Sequence, residues 1–161
     1  MPKLSHVDRK GRARMVDVGR KRATAREALA RGSVTMSRVA FDRVARNRLA
    51  KGDVMAVARL AGIQAAKKTW ELVPLCHPLP LDGVDVDLAL DGASRRVLIE
   101  ARARARAVTG VEMEALVAVA VAGLAVYDMV KSVDREATIG EIRLIEKRGG
   151  KSGLFRRTAG A

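Results

Sequence analysis

Aromatic side chains are nearly absent from this chain: Phe41, Trp70, Tyr127 and Phe155 are the only ones in 161 residues. Stacking on bases or sugars is therefore not a broad theme. Cys76 is the single cysteine, which excludes an internal disulfide and suits a reducing compartment. With only His6 and His77 beside it, the chain falls short of a zinc-ligand set, and no metal site is expected. No 18-residue apolar stretch is free of charge and no apolar run follows the basic start, so a soluble, unanchored, cytoplasmic protein is expected. Acids are in deficit, 18 against 31 Lys and Arg, for a formal net charge of +13. That excess points to an anionic partner, whether nucleic acid, membrane surface or polyphosphate metabolite. It is scattered along the chain rather than gathered in a tail.

Hydrophobic residues make up 48% of the chain, enough for one real core at this length. A single domain over 1–161 is expected, with 1–12 and 148–161 flexible. The coarse pattern begins with a short strand over Ala13–Val18 and a second inside Arg20–Met36. A helix over Ser37–Leu49 ends at Lys51-Gly52, and Asp53 N-caps a helix over Val54–Leu72. Three prolines make Pro74–Pro80 a stiff extended loop. Alternation at Val84, Val86, Leu88 and Leu90, a turn at Asp91–Ser94, and alternation at Val97, Ile99, Ala101 and Ala103 read as a hairpin. Its arginines form the wet face, partnered with Asp85 and Asp87 across the hairpin. A last strand over Ile139–Ile145 precedes a mobile tail, Gly149–Gly153. Together these elements predict an α+β fold of ferredoxin-like kind, an antiparallel sheet with helices packed on one face.

Thr109–Lys131 is the most telling segment. Its middle is apolar all round, as a buried helix requires, yet Glu112 and Glu114 stand at its start and Asp128 and Lys131 at its end. Each charge has a structural reading. Thr109 and Glu112 fit a capping box, and Asp128 and Lys131 share a face as a helix ion pair. Glu112 and Asp128 lie about 24 Å apart along such a helix, so one straight helix cannot serve one small-molecule site with both ends. Either one end is functional, or two copies pack antiparallel so that the start of one meets the end of the other. His77, in the proline-rich loop, is presented to a ligand at little ordering cost. The Gly149–Gly153 run looks like the end of a phosphate-binding loop, but Ile145 stands where the first glycine would be required.

Several motifs coincide: Met15-Val16-Asp17-Val18, Lys51-Gly52-Asp53-Val54, Ala61-Gly62-Ile63-Gln64-Ala65-Ala66-Lys67, Pro74-Leu75-Cys76-His77-Pro78, Thr109-Gly110-Val111-Glu112-Met113-Glu114, Tyr127-Asp128-Met129 with Lys131, and Gly149-Gly150-Lys151-Ser152-Gly153. In this combination, from about Leu4 to Gly153, the chain closely resembles the cyclic pyranopterin monophosphate synthase family of molybdenum cofactor biosynthesis. The resemblance implies a lyase that converts 3′,8-cyclo-7,8-dihydroguanosine 5′-triphosphate to cyclic pyranopterin monophosphate and pyrophosphate. It also implies a homohexamer, a trimer of dimers, with active sites at the dimer interface and no nucleic-acid or membrane partner. No cofactor is required, with Mg²⁺ an optional companion of the triphosphate. The catalytic positions it implies are Asp128, Lys131, Lys51 and His77. The substrate-binding positions are Leu75, Cys76, His77, Glu112, Met113 and Glu114, with Lys21, Arg26, Lys147 and Lys151 for the triphosphate. Val108 departs from the family, standing where relatives often carry a basic or polar residue.

By residue type, Asp128 suits a general acid and base, Lys131 a proton donor or anion stabiliser, and His77 a shuttle near neutral pH. Crowding by Lys51 is expected to favour a neutral amine at one lysine. The alternative reading of the charge excess is a basic nucleic-acid-binding module, which leaves the acids and the His77 loop without a role.

Overall fold

The computed structural model describes residues 10–158. Strand β1 (Thr24–Thr35) leads into helices α1 (Arg38–Ala45), α2 (Val54–Lys67) and α3 (Thr69–Leu72). The hairpin β2 (Gly83–Asp91) and β3 (Arg96–Ala107) follows, then α4 (Glu112–Val130), β4 (Thr138–Arg148) and β5 (Phe155–Arg156). All pairings are antiparallel and the sheet order is β2-β3-β1-β4-β5. The first four strands with α2 and α4 are the βαββαβ arrangement of a ferredoxin-like fold, as the hairpin and helix periodicities predict.

Local chemistry starts and stops these elements. Ser37 caps α1 by accepting from the Ala40 amide at 3.3 Å, and Asp53 caps α2 by accepting from the Ala56 amide at 3.0 Å. Helix α1 ends early because Asn47 takes a left-handed conformation, φ 50°. The helix expected over Val54–Leu72 divides at Lys68. There the Thr69 hydroxyl competes for the carbonyls of Ala66 and Ala65, at 3.0 and 3.4 Å, and Val73 must be extended before Pro74. In the hairpin turn, Asp91 accepts from the Ala93 and Ser94 amides and from the Ser94 hydroxyl.

Three expectations need correction. Ala13–Val18 is no strand, only an isolated bridge at Ala13, because its backbone lies across the proline-rich loop. The capping box does not form: the N-cap is Val111, with no side-chain cap bond, because buried Val111 anchors the entry. The segment read as a mobile tail turns at Gly149–Gly153 and returns as β5 on β4. The expected flexible start, 1–12, lies almost wholly outside the described residues, as do 159–161.

Alternation along the hairpin divides the sheet into two faces. The inner face is built from small side chains such as Ala28, Ala30, Ala101 and Ala103, all buried. Helix α4 therefore packs close. A Cβ on Gly32 of β1 would fall 2.6 Å from Val119 Cγ1, and one on Gly123 of α4 would fall 2.9 Å from Ile139 Cγ2. On the outer face, Arg104 pairs with Asp85 at 2.8 Å as expected, but Arg102 reaches across to Glu27 on β1 at 2.8 Å. Asp87 faces Glu100 in register, and Glu100 pairs with Arg31 at 2.7 Å instead. Helix α4 has the length and apolarity of a bilayer span, mean hydropathy 1.8, but half of that window is buried inside the fold.

Gly62 of α2 lies against α4, where an added Cβ would sit 2.9 Å from the Ala118 carbonyl oxygen and 3.3 Å from Ala122 Cβ. Backbone cannot yield cheaply, so Gly62→Val is expected to cost about 1–3 kcal/mol by overpacking. Denaturant unfolding measures it, with Gly140→Ala, which meets nothing within 4 Å, as the neutral comparison.

Candidate active site

The loop after α3, the start of α4 and the segment 16–21 enclose a cleft of about 390 Å³. Leu75, Cys76, His77, Glu112, Met113, Glu114 and Lys21, all expected from the sequence, line it together with Val16, Val18 and Thr109. The loop expected to be extended over Pro74–Pro80 begins instead with a turn at Pro74-Leu75, where the Cys76 amide donates to the Val73 carbonyl at 3.0 Å, and the first turn of α4 supplies the two carboxylates. Glu114 is only 5% exposed. Burial, with the Glu112 charge added to it, raises its carboxyl to about 6. Burial also raises the Cys76 thiol, and the Glu114 charge reinforces that, which disfavours the thiolate. His77 Nε2 lies 2.8 Å from the Val16 carbonyl oxygen.

Lys21 is the cation in the cleft lining. The end of β4 and the turn after it bring further cations near Glu112, while Arg26 lines a separate hollow with Asp82, Arg104 and Arg148. Lys147 Nζ lies 3.8 Å from Glu112 Oε1 and bonds to the Ser152 hydroxyl. Gly149 and Gly150 both have positive φ, 94° and 73°, and their chain lies directly on β1. A Cβ at Gly149 would overlap the Ala25 carbonyl, and one at Gly150 would overlap the Arg26 guanidinium. The double glycine thus brings the turn down onto Arg26, whose Nε donates to the Ala107 carbonyl at 3.4 Å. Lys151 is exposed on the same turn. Gly150 and Ser152 lie in the Gly149–Gly153 run that the sequence marks as like a phosphate-binding loop, whereas the Val16 carbonyl escapes sequence reasoning. A backbone carbonyl leaves no signal there.

Asp128, Lys131 and Lys51 form a second cluster at the other end of α4. The Asp128 carboxylate lies between the two ammonium groups, Oδ1 2.7 Å from Lys131 and Oδ2 2.7 Å from Lys51. Lys51 also donates to the Asp128 backbone carbonyl at 2.8 Å. Hydrogen bonds from Lys131 and then Lys51 hold the Asp128 carboxyl down at about 2. The same bond to Asp128 raises Lys131. The expected crowding of lysines therefore acts in the opposite direction at Lys131: an intervening carboxylate stabilises the ammonium. All three side chains are about half exposed in the single chain.

The two clusters do not meet within one chain. They sit at opposite ends of a 19-residue helix, about 28 Å long. A hollow of about 430 Å³ on the outer sheet face contains none of the expected residues. Its Arg31 and Glu100 pair with each other, as do Arg143 and Glu141.

The buried carboxyl carries a testable sign. Its folded-state value lies above the usual carboxylate value, so the folded chain binds the extra proton and stability falls as pH rises through the interval between them, 4.5 to about 6. Glu114→Gln removes that slope. Melting temperatures are expected to match the parent near about pH 4 and to exceed it by a few degrees near about pH 8.

Proteins of known name share this arrangement in sequence. The MoaC family model matches residues 15–150. The cyclic pyranopterin monophosphate synthase of Pelotomaculum thermopropionicum is 57% identical over 157 residues, spanning 98% of this chain and 92% of its own. Its namesake from Thermomicrobium roseum is also 57% identical, over 98% of this chain and 95% of its own. That from Roseiflexus sp. strain RS-1 is 57% identical over 155 residues, 96% of this chain and 98% of its own. Matches that run through both residue clusters and every strand of the ferredoxin-like core place the chain in the MoaC family.

Proposed function

We propose that this chain is a cyclic pyranopterin monophosphate synthase. It converts 3′,8-cyclo-7,8-dihydroguanosine 5′-triphosphate to cyclic pyranopterin monophosphate with loss of pyrophosphate, in molybdenum cofactor biosynthesis. The observation that carries the working geometry is the outward face of α4. Met113 and Leu124 are exposed there, with Leu116, Val117, Ala120 and Val121 only partly covered between them. The spacing is that of one helical stripe. A second copy laid antiparallel on that stripe buries it and brings the Asp128 cluster of one chain to the Glu112–Glu114 cleft of the other. A trimer of such dimers is the homohexamer, and the cytoplasm is its compartment.

In the joined site the two carboxylate environments divide the labour. Asp128, held ionised between Lys51 and Lys131, accepts protons as the purine ring system is opened and rebuilt. Lys131, kept as an ammonium, returns protons and stabilises anionic intermediates. Glu114, poised near neutrality, hydrogen-bonds the base either as donor or as acceptor. Lys21, Arg26, Lys147 and Lys151 neutralise the triphosphate and the departing pyrophosphate, with Mg²⁺ as the nucleotide's optional companion. The nucleic-acid-binding alternative gains no support. Many arginines of the outer sheet face are consumed in ion pairs with Glu27, Asp85, Glu100 and Glu141.

Complementation tests the shared site. Asp128→Asn and His77→Ala are each expected to lower turnover by about 10²–10⁴-fold. When the two are mixed equally by unfolding and reassembly, half the dimers are mixed and one site in each is intact, so about a quarter of parental activity returns. Mixed assemblies that remain inactive contradict the shared site. An intact, assembled parent that releases no pyrophosphate from the cyclised substrate contradicts the activity.

A further inference from the structure

Within the segment Val16–Lys21 only Lys21 has a role in the assignments above, although Val16–Val18 belong to one of the sequence motifs. Among the described residues it pairs with no strand, and two local bonds shape it. Asp17 Oδ1 accepts from the Gly19 amide at 2.9 Å, and the Lys21 amide donates to the Val18 carbonyl at 2.9 Å. These are turn bonds of the kind that hold irregular backbone in one conformation. The turn carries Lys21 into the cleft and leaves Val16 lying across the proline-rich loop. There the Val16 carbonyl oxygen sits 2.8 Å from His77 Nε2.

A carbonyl oxygen only accepts, so Nε2 must carry the hydrogen in this contact. In the neutral imidazole that leaves Nδ1 bare. The opposite tautomer would set two lone pairs against each other and leave the Val16 carbonyl unpaired beside a half-buried ring. We propose that the 16–21 arm is a positioning element for His77: the Val16 carbonyl selects the Nε2–H tautomer and makes Nδ1 the basic atom of the cleft. His77 is then a one-sided shuttle. The Nδ1 lone pair takes a proton from a substrate N–H or O–H, the ring becomes an imidazolium with hydrogen on both nitrogens, and the same proton returns from Nδ1. The Nε2–H bond to Val16 persists throughout, and its carbonyl dipole stabilises the cation. No proton passes through the ring, because the backbone carbonyl beyond it has none to exchange. The role in turnover rests on the reading of this cleft as the substrate site, whereas the tautomer does not.

The chain has two histidines, so His6→Gln leaves a single imidazole to observe. Nitrogen-15 spectra of histidine-labelled His6→Gln protein are recorded without substrate, in buffer well above the ordinary imidazole range. The expected result is one unmixed tautomer, protonated at Nε2 and bare at Nδ1, with an Nε2–H proton signal that survives solvent exchange. A chain beginning at Gly19, which retains Lys21, is expected to lose that protected signal and show averaged ring nitrogens. Asp17→Ala, which only loosens the turn, is expected to move partway. An Nδ1–H tautomer or an averaged ring in the untruncated protein overturns the proposal. So does a spectrum that is unchanged when the arm is removed. If the spectra agree and the protein makes no product, the activity is wrong and the tautomer stands.

Discussion

Most side chains on the inner face of β1 and β3 are alanine, glycine or valine, and at Gly32, beneath α4, even one methyl is excluded. Gly32 and Gly123 are glycine because Val119 and Ile139 already occupy the space of their Cβ atoms. That contact sets the height and direction of α4. Both candidate clusters are then placed by it: the first turn meets the proline-rich loop, and the last meets the turn before α2. The inner face of α4 is used up by the sheet and by α2, so its remaining apolar side chains face outward.

Electrostatics separates the two ends as firmly as distance does. At the start of α4 a carboxyl is sealed from water with another acid nearby, and its proton is held up to about 6. At the far end a carboxyl lies open to solvent between two ammonium groups and is held down to about 2. One element thus carries an acid that titrates near neutrality and a base that stays ionised, the separation that acid–base chemistry on a single substrate requires. In neither case does the carboxylate decide alone. Burial by the fold sets the first, and Lys51, delivered from a different turn, helps to set the second.

The hairpin, the Asp53 cap and the long helix were readable because each is encoded by neighbours in sequence: alternation, an N-cap carboxylate, or unbroken apolarity. The lining of the cleft was equally readable, since Leu75–His77 and Glu112–Glu114 occur in compact motifs. What was not readable is governed by contacts between distant segments. Thr109 and Glu112 satisfy the capping-box pattern, but Lys147, far along the chain, stands beside the Glu112 carboxylate. Val16–Val18 alternates like a strand, but the Val16 carbonyl meets His77 of the proline-rich loop instead of a ladder partner. Gly149–Gly153 has the composition of a loose end, yet its glycines permit a descent onto Arg26 that no bulkier residue could make.

The outward stripe of α4 has a consequence for how the protein responds to dilution. A helix of this hydropathy, with Leu124 more than half exposed in the lone chain, gains much of its stabilisation from whatever covers that side. If a second copy does so, folding free energy becomes a function of protein concentration. A substitution on the stripe would then lower the amount of folded protein before it changed the rate of any reaction. Abundance, rather than turnover per site, would be the first quantity to reveal it.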